Sequence, residues 1–180
     1  MENQANGLGK VNKKLTSVEK ATSTILNNIP VLSSYEEIVL NSLGKTLAKP
    51  VTALLSNPPS DVSSMDGYAL KNSDIDNGVL EFTVIDESVA GKSSSKTVAT
   101  MQTVRIFTGA KIPHGADRVI LQEDIKRLGN NLIKINKNKL ENNNFFIRKT
   151  GMDFKLGEKL IDKGEVLNTR NISLCVASGN

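Results

Sequence analysis

Beyond Pro50 the apolar residues stop recurring at helical spacing and fall into short runs, and this change limits the chain to a fold rich in β-structure. The runs are rich in β-branched and apolar residues, and the pieces between them are rich in turn-forming Gly, Asn, Asp, Ser and Pro. Gly129-Asn130-Asn131 lies between two alternating runs and predicts a hairpin loop. The predicted strands are LEFTVI (80–85), TVRIF (103–107), RVILQ (118–122) and LIKIN (132–136).

Two capped helices are expected before this region, each marked by a Ser or Thr three residues ahead of a Glu and by apolar residues near a 3.6-residue period. Pro30 ends the first helix and Gly44 ends the second. A third helix is expected near the end of the chain, after Asn168 and Thr169. The capping pairs are Thr16 with Glu19 and Ser34 with Glu37; the apolar stripes are Leu15, Val18, Ile25, Leu26 and Ile29, then Val39, Leu40 and Leu43.

The composition is that of a globular chain. Its 180 residues suffice to bury a core, and no apolar run approaches the roughly 20 residues that cross a bilayer. Segment 1–14 shows no secretory signal and predicts a disordered tail. Cys175 is the only cysteine, which excludes an internal disulfide and suits a reducing cytoplasm. Aromatic residues make up only 4% and include no tryptophan, which argues against a base-stacking surface.

Positive charge is concentrated between Lys126 and Lys149, where seven basic residues face one acid, Glu141. One interpretation is a phosphate-binding face, and the other is the solvated surface that most charge runs form. A small basic nucleic-acid binder is a further hypothesis for the chain, and it depends on this run alone. The net charge of +4 fits either small anionic ligands or plain solubility.

Several kinds of enzyme site find no support in the sequence. His114 is the only histidine and lies 61 positions from Cys175, whereas a zinc site takes about four ligands drawn mostly from Cys and His. The sequence contains no GxSxG elbow, no GxxxxGK[ST] loop and no dinucleotide-binding glycine fingerprint.

The segment Ser63–Tyr68 is the first of three polar candidate sites. Gly67 is expected to allow a sharp or left-handed turn, with Met65 or Tyr68 anchoring the loop in a core so that Asp66 points outward. The alternative is an Asx turn, in which Asp66 bonds its own backbone.

The other two candidates are Phe107–Ala110, at the end of a strand, and Arg148–Asp153, a basic pair followed by an acid. In the first, Thr108 and Gly109 are expected to offer a hydroxyl and a backbone N–H to a ligand; the alternative is an ordinary turn. Each segment taken singly is more typical of structure than of a site.

Taken in order, SSMDGYAL, RIFTGAKIPHGADRVILQED and IRKTGMDFKLGEKLIDKGEVL resemble the N-terminal region of the MoeA family of molybdopterin molybdenumtransferases, which includes the gephyrin E domain. LGKTLAKPVTA resembles the stretch that leads into these motifs. The resemblance covers roughly residues 15–179. Two departures stand out: Ser64 replaces the commoner alanine, and Met152 stands where the family usually has glutamate.

The resemblance implies a role in molybdenum cofactor biosynthesis. Family members insert molybdate into adenylylated molybdopterin and release AMP, assisted by Mg²⁺. By matching motif, the catalytic residues are Asp66, Thr108 and Asp153. The substrate-binding residues are Ser64, Gly109 and Arg148, and no metal ligand is assigned to this chain.

The resemblance also implies an α+β, β-dominated fold, in which a compact β domain (50–140) is inserted in an elongated mixed domain (15–49 plus 141–180). A C-terminal molybdopterin-binding domain is absent from this chain, so the fragment alone is expected to be inactive. The expected partners are a second copy, in a homodimer with a shared cleft, and small anionic substrates, with no nucleic acid and no membrane. The competing hypothesis is a truncated, non-catalytic binding or dimerisation module of the same fold.

Overall fold

The structure is a computed structural model that describes residues 15–140 and 144–180. These residues form two compact units, one within residues 15–36 and the other over Glu37–Asn180. The predicted disordered tail, residues 1–14, lies outside the described residues. None of the described helices is long and apolar enough to cross a bilayer.

The first unit contains helix α1, Val18–Asn28. Ser17 caps this helix, because its side chain accepts a hydrogen bond from the backbone N–H three residues further on. The first predicted helix is therefore confirmed, but the predicted cap at Thr16 is wrong by one residue. The helix ends at Asn28, and its C-cap, Ile29, directly precedes the proline that was expected to stop it.

The second predicted helix is wrong, because only a three-residue 3-10 turn forms there, Val39–Asn41. Glu37 was expected to complete a cap with Ser34. Its carboxylate instead pairs with Lys45 and accepts a hydrogen bond from the N–H of Ile38. The segment is also short, and short helices bear the full cost of nucleation with few bonds to offset it.

The second unit is built around a mixed six-stranded sheet in the order β6-β3-β5-β4-β8-β7, in which only β4 and β5 run parallel. All four predicted strands are present, and the predicted hairpin loop at 129–131 joins the antiparallel strands β7 and β8. The strands are β1 Val51–Thr52, β2 Val62–Ser63, β3 Gly67–Leu70, β4 Glu81–Ser88, β5 Gln102–Ile106, β6 Arg118–Leu121, β7 Ile125–Arg127, β8 Leu132–Ile135, β9 Ile147–Arg148 and β10 Lys159–Ile161. A short helix, α2, spans Asn72–Asp76.

Strand β3 was not expected from the sequence, yet it lies inside the sheet between β5 and β6, and all of its residues are buried. Gly67 begins this strand at a point where β6 comes very close. A Cβ atom on Gly67 would lie 2.0 Å from the carbonyl oxygen of Ile120. The turn expected at Gly67 is therefore wrong; glycine is required there by the close approach of two backbones.

The sheet is buried on both faces, since alternate residues of β3 join different apolar clusters. Tyr68 and Leu70 face one cluster and Ala69 faces the other. Full burial of a large apolar side chain stabilises the fold by about 2 kcal/mol. The first cluster is Tyr68, Leu70, Phe82, Ile120, Ile133 and Ile135, and the second is Ala69, Ile106, Ala110 and Val119.

A further core forms where β1 pairs with β10 and helix α3, Thr169–Ala177, packs beside them. The side chain of Asn168 accepts from the N–H of Asn171, and the Asn171 side chain accepts from the N–H of Asn168, in a capping box. The predicted C-terminal helix is thus confirmed. The buried residues of this core are Val51, Ile161, Leu167 and Cys175.

The elements place the chain in the α+β, β-dominated class, as predicted. The predicted division into a compact domain over 50–140 and a mixed domain over 15–49 plus 141–180 stays a prediction. For the candidate site, the important feature is that β3 and β5 are antiparallel neighbours, with Gly67 opposite Ile106. The residues just before β3 therefore lie beside the residues just after β5.

Candidate functional site

Asp66 precedes β3 and Thr108 follows β5, so the antiparallel pairing of the two strands brings these residues together. Asp66 Oδ1 accepts a 2.8 Å hydrogen bond from the Thr108 backbone N–H and another of 2.8 Å from the Thr108 hydroxyl. The partner of Asp66 is thus 42 residues away, and the alternative of an Asx turn with its own backbone is not what forms. Two predicted site residues are in direct contact.

The hydrogen bonds from Thr108 hold the pKa of the Asp66 carboxyl below its usual range. The backbone N–H has the largest effect and the hydroxyl the next, while partial desolvation opposes them; the positive charge of Arg105 adds a smaller lowering. Asp66 is therefore ionised at neutral pH. Both hydrogen bonds fall on Oδ1, which leaves the acceptor capacity of Oδ2 for a water molecule or a substrate group.

Gly109 and Ser64 are tied into the same region through their backbones. The N–H of Gly109 donates to the carbonyl of Ser63 at 2.8 Å, and the N–H of Ser64 donates to the carbonyl of Phe146 at 3.0 Å. Thr108 and Gly109 were expected to offer a hydroxyl and a backbone N–H to a ligand. These groups instead donate hydrogen bonds within the protein, and so they fix the conformation of the loop.

Arg148 and Asp153 form an ion pair, with Arg148 Nη2 2.6 Å from Asp153 Oδ1 and both side chains partly exposed. Strand pairing of β2 with β9 sets Arg148 opposite Val62. Met152, the residue that departs from the family pattern, is 66% exposed. The third predicted segment therefore presents a paired acid and base at the surface, beside the 62–66 segment.

Asp61 is a site-region residue that the sequence reasoning missed. Its Oδ2 lies 2.8 Å from Lys149 Nζ, and its Oδ1 accepts from the Thr150 N–H at 2.9 Å and the Thr150 hydroxyl at 3.1 Å. Lys149, followed by the N–H and hydroxyl of Thr150, lowers the pKa of the Asp61 carboxyl against some desolvation. No local pattern signals this contact, because its partners are 88 and 89 residues away.

Tyr68 is the anchor of the 62–66 segment, since it is only 2% exposed and lies in the first apolar cluster. Met65, which was also considered as an anchor, is 43% exposed, so this alternative is wrong. Arg105 lies over the rings of Tyr68 and Phe107 and donates to the carbonyl of Gly67 at 2.9 Å. These contacts fix the backbone on the C-terminal side of Asp66.

The structure brings the six predicted residues into one continuous set of contacts between three segments. Segment 63–66 carries Ser64 and Asp66, segment 107–110 carries Thr108 and Gly109, and segment 146–153 carries Arg148 and Asp153. Asp66 and Asp153 each have their own partner, Thr108 and Arg148 respectively. The arrangement contains two polar pairs, one between segments 63–66 and 107–110 and the other within segment 146–153.

For the magnesium ion that the resemblance implies, the described residues offer separate carboxylates rather than a cluster. Within residues 15–140 and 144–180, no three His, Cys, Asp or Glu side chains are grouped closely enough to hold an ion together. One oxygen each of Asp66 and Asp153 already accepts from a protein donor. Mg²⁺ takes few protein carboxylates and completes its octahedral shell with water and substrate oxygens.

The other residues noted in the sequence have ordinary structural surroundings. The carbonyl of His114 accepts from the Val98 N–H. Cys175 is buried, and burial raises the pKa of its thiol, which makes it unreactive. In the basic run, Lys134 pairs with Glu81 across β8 and β4. The choice between a phosphate-binding face and a solvated surface stays open.

Comparison with known proteins gives a consistent result. The model of the MoeA N-terminal region (domain I and II) matches residues 16–179. The chain is 31% identical over 172 residues to the molybdopterin molybdenumtransferase of Nostoc sp., a match that covers 91% of this chain and 39% of the relative. It is 32% identical over 166 residues to that of Staphylococcus aureus, a match that covers 90% of this chain and 39% of the relative.

Solved structures give the same match. Two crystal structures of the molybdopterin biosynthesis MoeA protein from Pyrococcus horikoshii are similar to this chain with a TM-score of 0.79, at 29% and 31% identity. The similarity covers 92% of this chain and 43% and 44% of theirs. The chain thus spans about two fifths of the length of the proteins it matches.

Proposed function

Because the chain belongs to the family of MoeA N-terminal regions, whose model matches residues 16–179, we propose that it supplies the N-terminal part of a molybdopterin molybdenumtransferase. The reaction is insertion of molybdate into adenylylated molybdopterin with release of AMP, to give molybdenum cofactor. The Nostoc and Staphylococcus aureus relatives are molybdopterin molybdenumtransferases, which supports this assignment.

The observation that carries the proposal is the contact of Asp66 with both donors of Thr108. A carboxylate held at low pKa repels the anionic phosphate and molybdate groups, so it acts on something other than the anion itself. Its Oδ2 is suited to accept a hydrogen bond from a water molecule or from a donor group of the substrate and so to orient it. The protein fixes Oδ1, so the direction of Oδ2 is set before the substrate binds.

Arg148 is the cation proposed to bind the negatively charged groups of the substrates. A guanidinium has five N–H donors, and the ion pair with Asp153 uses a donor on Nη2. Its other donors are available to an oxyanion or a phosphate. Asp153 holds the guanidinium in place, so its role in the reaction is to orient the cation.

The rest of the cleft is proposed to lie outside this chain. The active form is a homodimer in the reducing cytoplasm, in which a molybdopterin-binding domain completes the site. Mg²⁺, if bound there, would offset the negative charge of the phosphate and molybdate groups. The partners are small anionic substrates rather than nucleic acid or a membrane. The relatives extend well beyond the matched region, which supports a site completed by further domains.

A chimera tests the proposal. Residues 16–179 replace the matching part of the Staphylococcus aureus transferase, and AMP and molybdenum cofactor are measured after addition of adenylylated molybdopterin and molybdate. We expect turnover. Thermal melting and size-exclusion chromatography establish that the chimera is folded and dimeric. A folded, dimeric chimera without turnover would contradict the proposal and favour the non-catalytic module.

A further inference from the structure

Asp61 connects three segments of the candidate site. Its carboxylate contacts Lys149 and Thr150, its backbone carbonyl accepts from the Ile112 N–H at 2.9 Å, and β2 begins at the next residue, Val62. Its side chain uses both carboxylate oxygens, one for each neighbour. Three donors on one ionised carboxylate make a contact stronger than an ordinary surface ion pair.

The contact with Thr150 repeats the geometry at Asp66. In both cases one carboxylate oxygen accepts the backbone N–H and the hydroxyl of the same threonine. The two aspartates stand at the ends of segment 61–66, and each fixes a different neighbouring loop: Asp66 fixes the loop after β5, and Asp61 fixes the loop after β9.

The loop that Asp61 holds is the one that carries Arg148 and Asp153. On its far side this loop is held by backbone bonds, from the Gly151 N–H to the carbonyl of Pro58 and from the Asp153 N–H to the carbonyl of Asn57, each 2.9 Å. On its near side the side-chain contacts come from Asp61. Removal of the Asp61 carboxylate therefore releases Lys149 and Thr150, while the pairing of β9 with β2 and the backbone bonds of Gly151 and Asp153 remain.

We propose that Asp61 is a positioning residue: its carboxylate fixes Lys149 and Thr150, and thereby sets the Arg148–Asp153 pair relative to Asp66. It also neutralises Lys149, so that Arg148 is the cation presented to an anionic substrate. The part of this inference that concerns the reaction rests on the proposed function; the part that concerns the geometry does not.

Hydrogen exchange on the full 180-residue chain tests the geometry. In Asp61→Ala, we expect the Thr150 amide to exchange about 10- to 100-fold faster, because this amide loses its hydrogen bond to a charged acceptor. Amides of β3 and β5 are expected to keep their protection. The matched control is Glu81→Gln, which breaks another exposed 2.8 Å ion pair between distant residues and leaves Thr150 unaffected. Unchanged Thr150 exchange in Asp61→Ala overturns the inference.

Two further variants separate positioning from general stability. Thr150→Ser keeps both donors and is expected to preserve the contact, whereas Thr150→Val loses the hydroxyl and is expected to weaken it. If Asp61→Ala lowers protection throughout the sheet together with Tm, Asp61 is a general stabilising residue and the inference is wrong.

Asp61→Ala in the chimera tests the catalytic part. We expect KM for the adenylylated substrate to rise about 2- to 10-fold, with a smaller change in kcat. The reason is that the substrate must then order a side chain that Asp61 holds in place in the unsubstituted protein. Thr150→Ser in the chimera is expected to leave KM and kcat unchanged, since serine preserves the contact with Asp61. Unchanged KM in Asp61→Ala would overturn the catalytic part. An inactive unsubstituted chimera would contradict the proposed function and this part with it, while the exchange data would still decide the geometry.

Discussion

Asp66 Oδ1 accepts two 2.8 Å hydrogen bonds from Thr108, one from its backbone N–H and one from its hydroxyl, across 42 residues of sequence. The contact lies at the end of the sheet where β3 begins and β5 ends. It gives a half-buried carboxylate a fixed orientation. Such a group contributes to a reaction through its direction and charge more than through the stability of the fold.

Asp66→Asn in the chimera is expected to lower kcat by about 100-fold or more, because an amide lacks the charge and presents an NH2 donor in place of the acceptor oxygen Oδ2. The Asn side-chain oxygen still accepts from Thr108, so Tm is expected to stay within about 3 °C. Turnover assays and thermal melts on the same preparations check both values.

The matched control for this substitution is Asp86→Asn. Asp86 also accepts a hydrogen bond from a hydroxyl, that of Ser94 at 2.6 Å, and this bond lowers the pKa of its carboxyl most strongly. We expect normal turnover in this variant. Equal activity of Asp66→Asn and Asp86→Asn would count against a role for Asp66 in the reaction.

Gly67→Ala is expected to destabilise the protein by about 3 kcal/mol, because the new Cβ would overlap the carbonyl oxygen of Ile120, and a strand between two neighbours has little room to move. Urea unfolding gives the free energy of unfolding. Gly129→Ala is the control, since a Cβ on Gly129 meets no atom within 4 Å. If both variants have the same stability, the close approach of β3 and β6 is not what requires the glycine.

Arg148→Gln is expected to leave the free energy of unfolding within about 1 kcal/mol, as is usual for an exposed ion pair, while it lowers kcat/KM in the chimera by about tenfold or more. Lys159→Gln breaks another exposed pair, Lys159 with Asp162 at 2.6 Å, and is expected to change neither quantity. A chimera in which the two substitutions have the same kcat/KM would remove Arg148 from the substrate-binding residues.

The carboxyls of Asp61 and Asp66 are expected to titrate below the ordinary aspartate value of about 3.9. Since their pKa is lower in the folded state, their contribution to stability is present above that value and is lost as the pH falls through the folded-state pKa. Lys149→Gln should raise the pKa of Asp61 and leave that of Asp66 unchanged. Thr108→Val should raise the pKa of Asp66 and leave that of Asp61 unchanged; the rise should be partial, because the Thr108 N–H remains. NMR titration of the carboxyl carbons checks each shift; a response of both groups to either substitution would show that the two contacts are not independent.

The isolated 180-residue chain is expected to show no turnover of adenylylated molybdopterin with molybdate. The chain spans about two fifths of the length of the relatives it matches, and the proposed site is completed by the remainder of such a protein. The unsubstituted chimera is the positive control for the assay. AMP formed by the isolated chain above the background of an Asp66→Asn chain would contradict this expectation.

Local sequence was enough to predict the strands β4, β5, β6 and β8, the hairpin loop and helices α1 and α3, because their periodicity and end signals are contained in neighbouring residues. It failed at β3, whose Gly67-Tyr68-Ala69 carries little strand signal and is a strand because β5 and β6 flank it. It also failed at Glu37, where a lysine eight residues away replaced the expected cap.

The candidate site shows the same division. The motifs singled out Asp66, Thr108 and Asp153, but only the fold shows that Asp66 is held by Thr108 and that Asp153 faces Arg148. Asp61 was missed because its partners are far along the chain.

The sequence by itself determined which segments have strand or helix periodicity and which carry polar motifs, because these properties depend on side-chain chemistry and spacing over a few residues. The tertiary structure alone decided which donor meets which carboxylate and why Gly67 has no side chain. Those outcomes depend on strand register, and register is set by how the apolar faces of distant segments pack together.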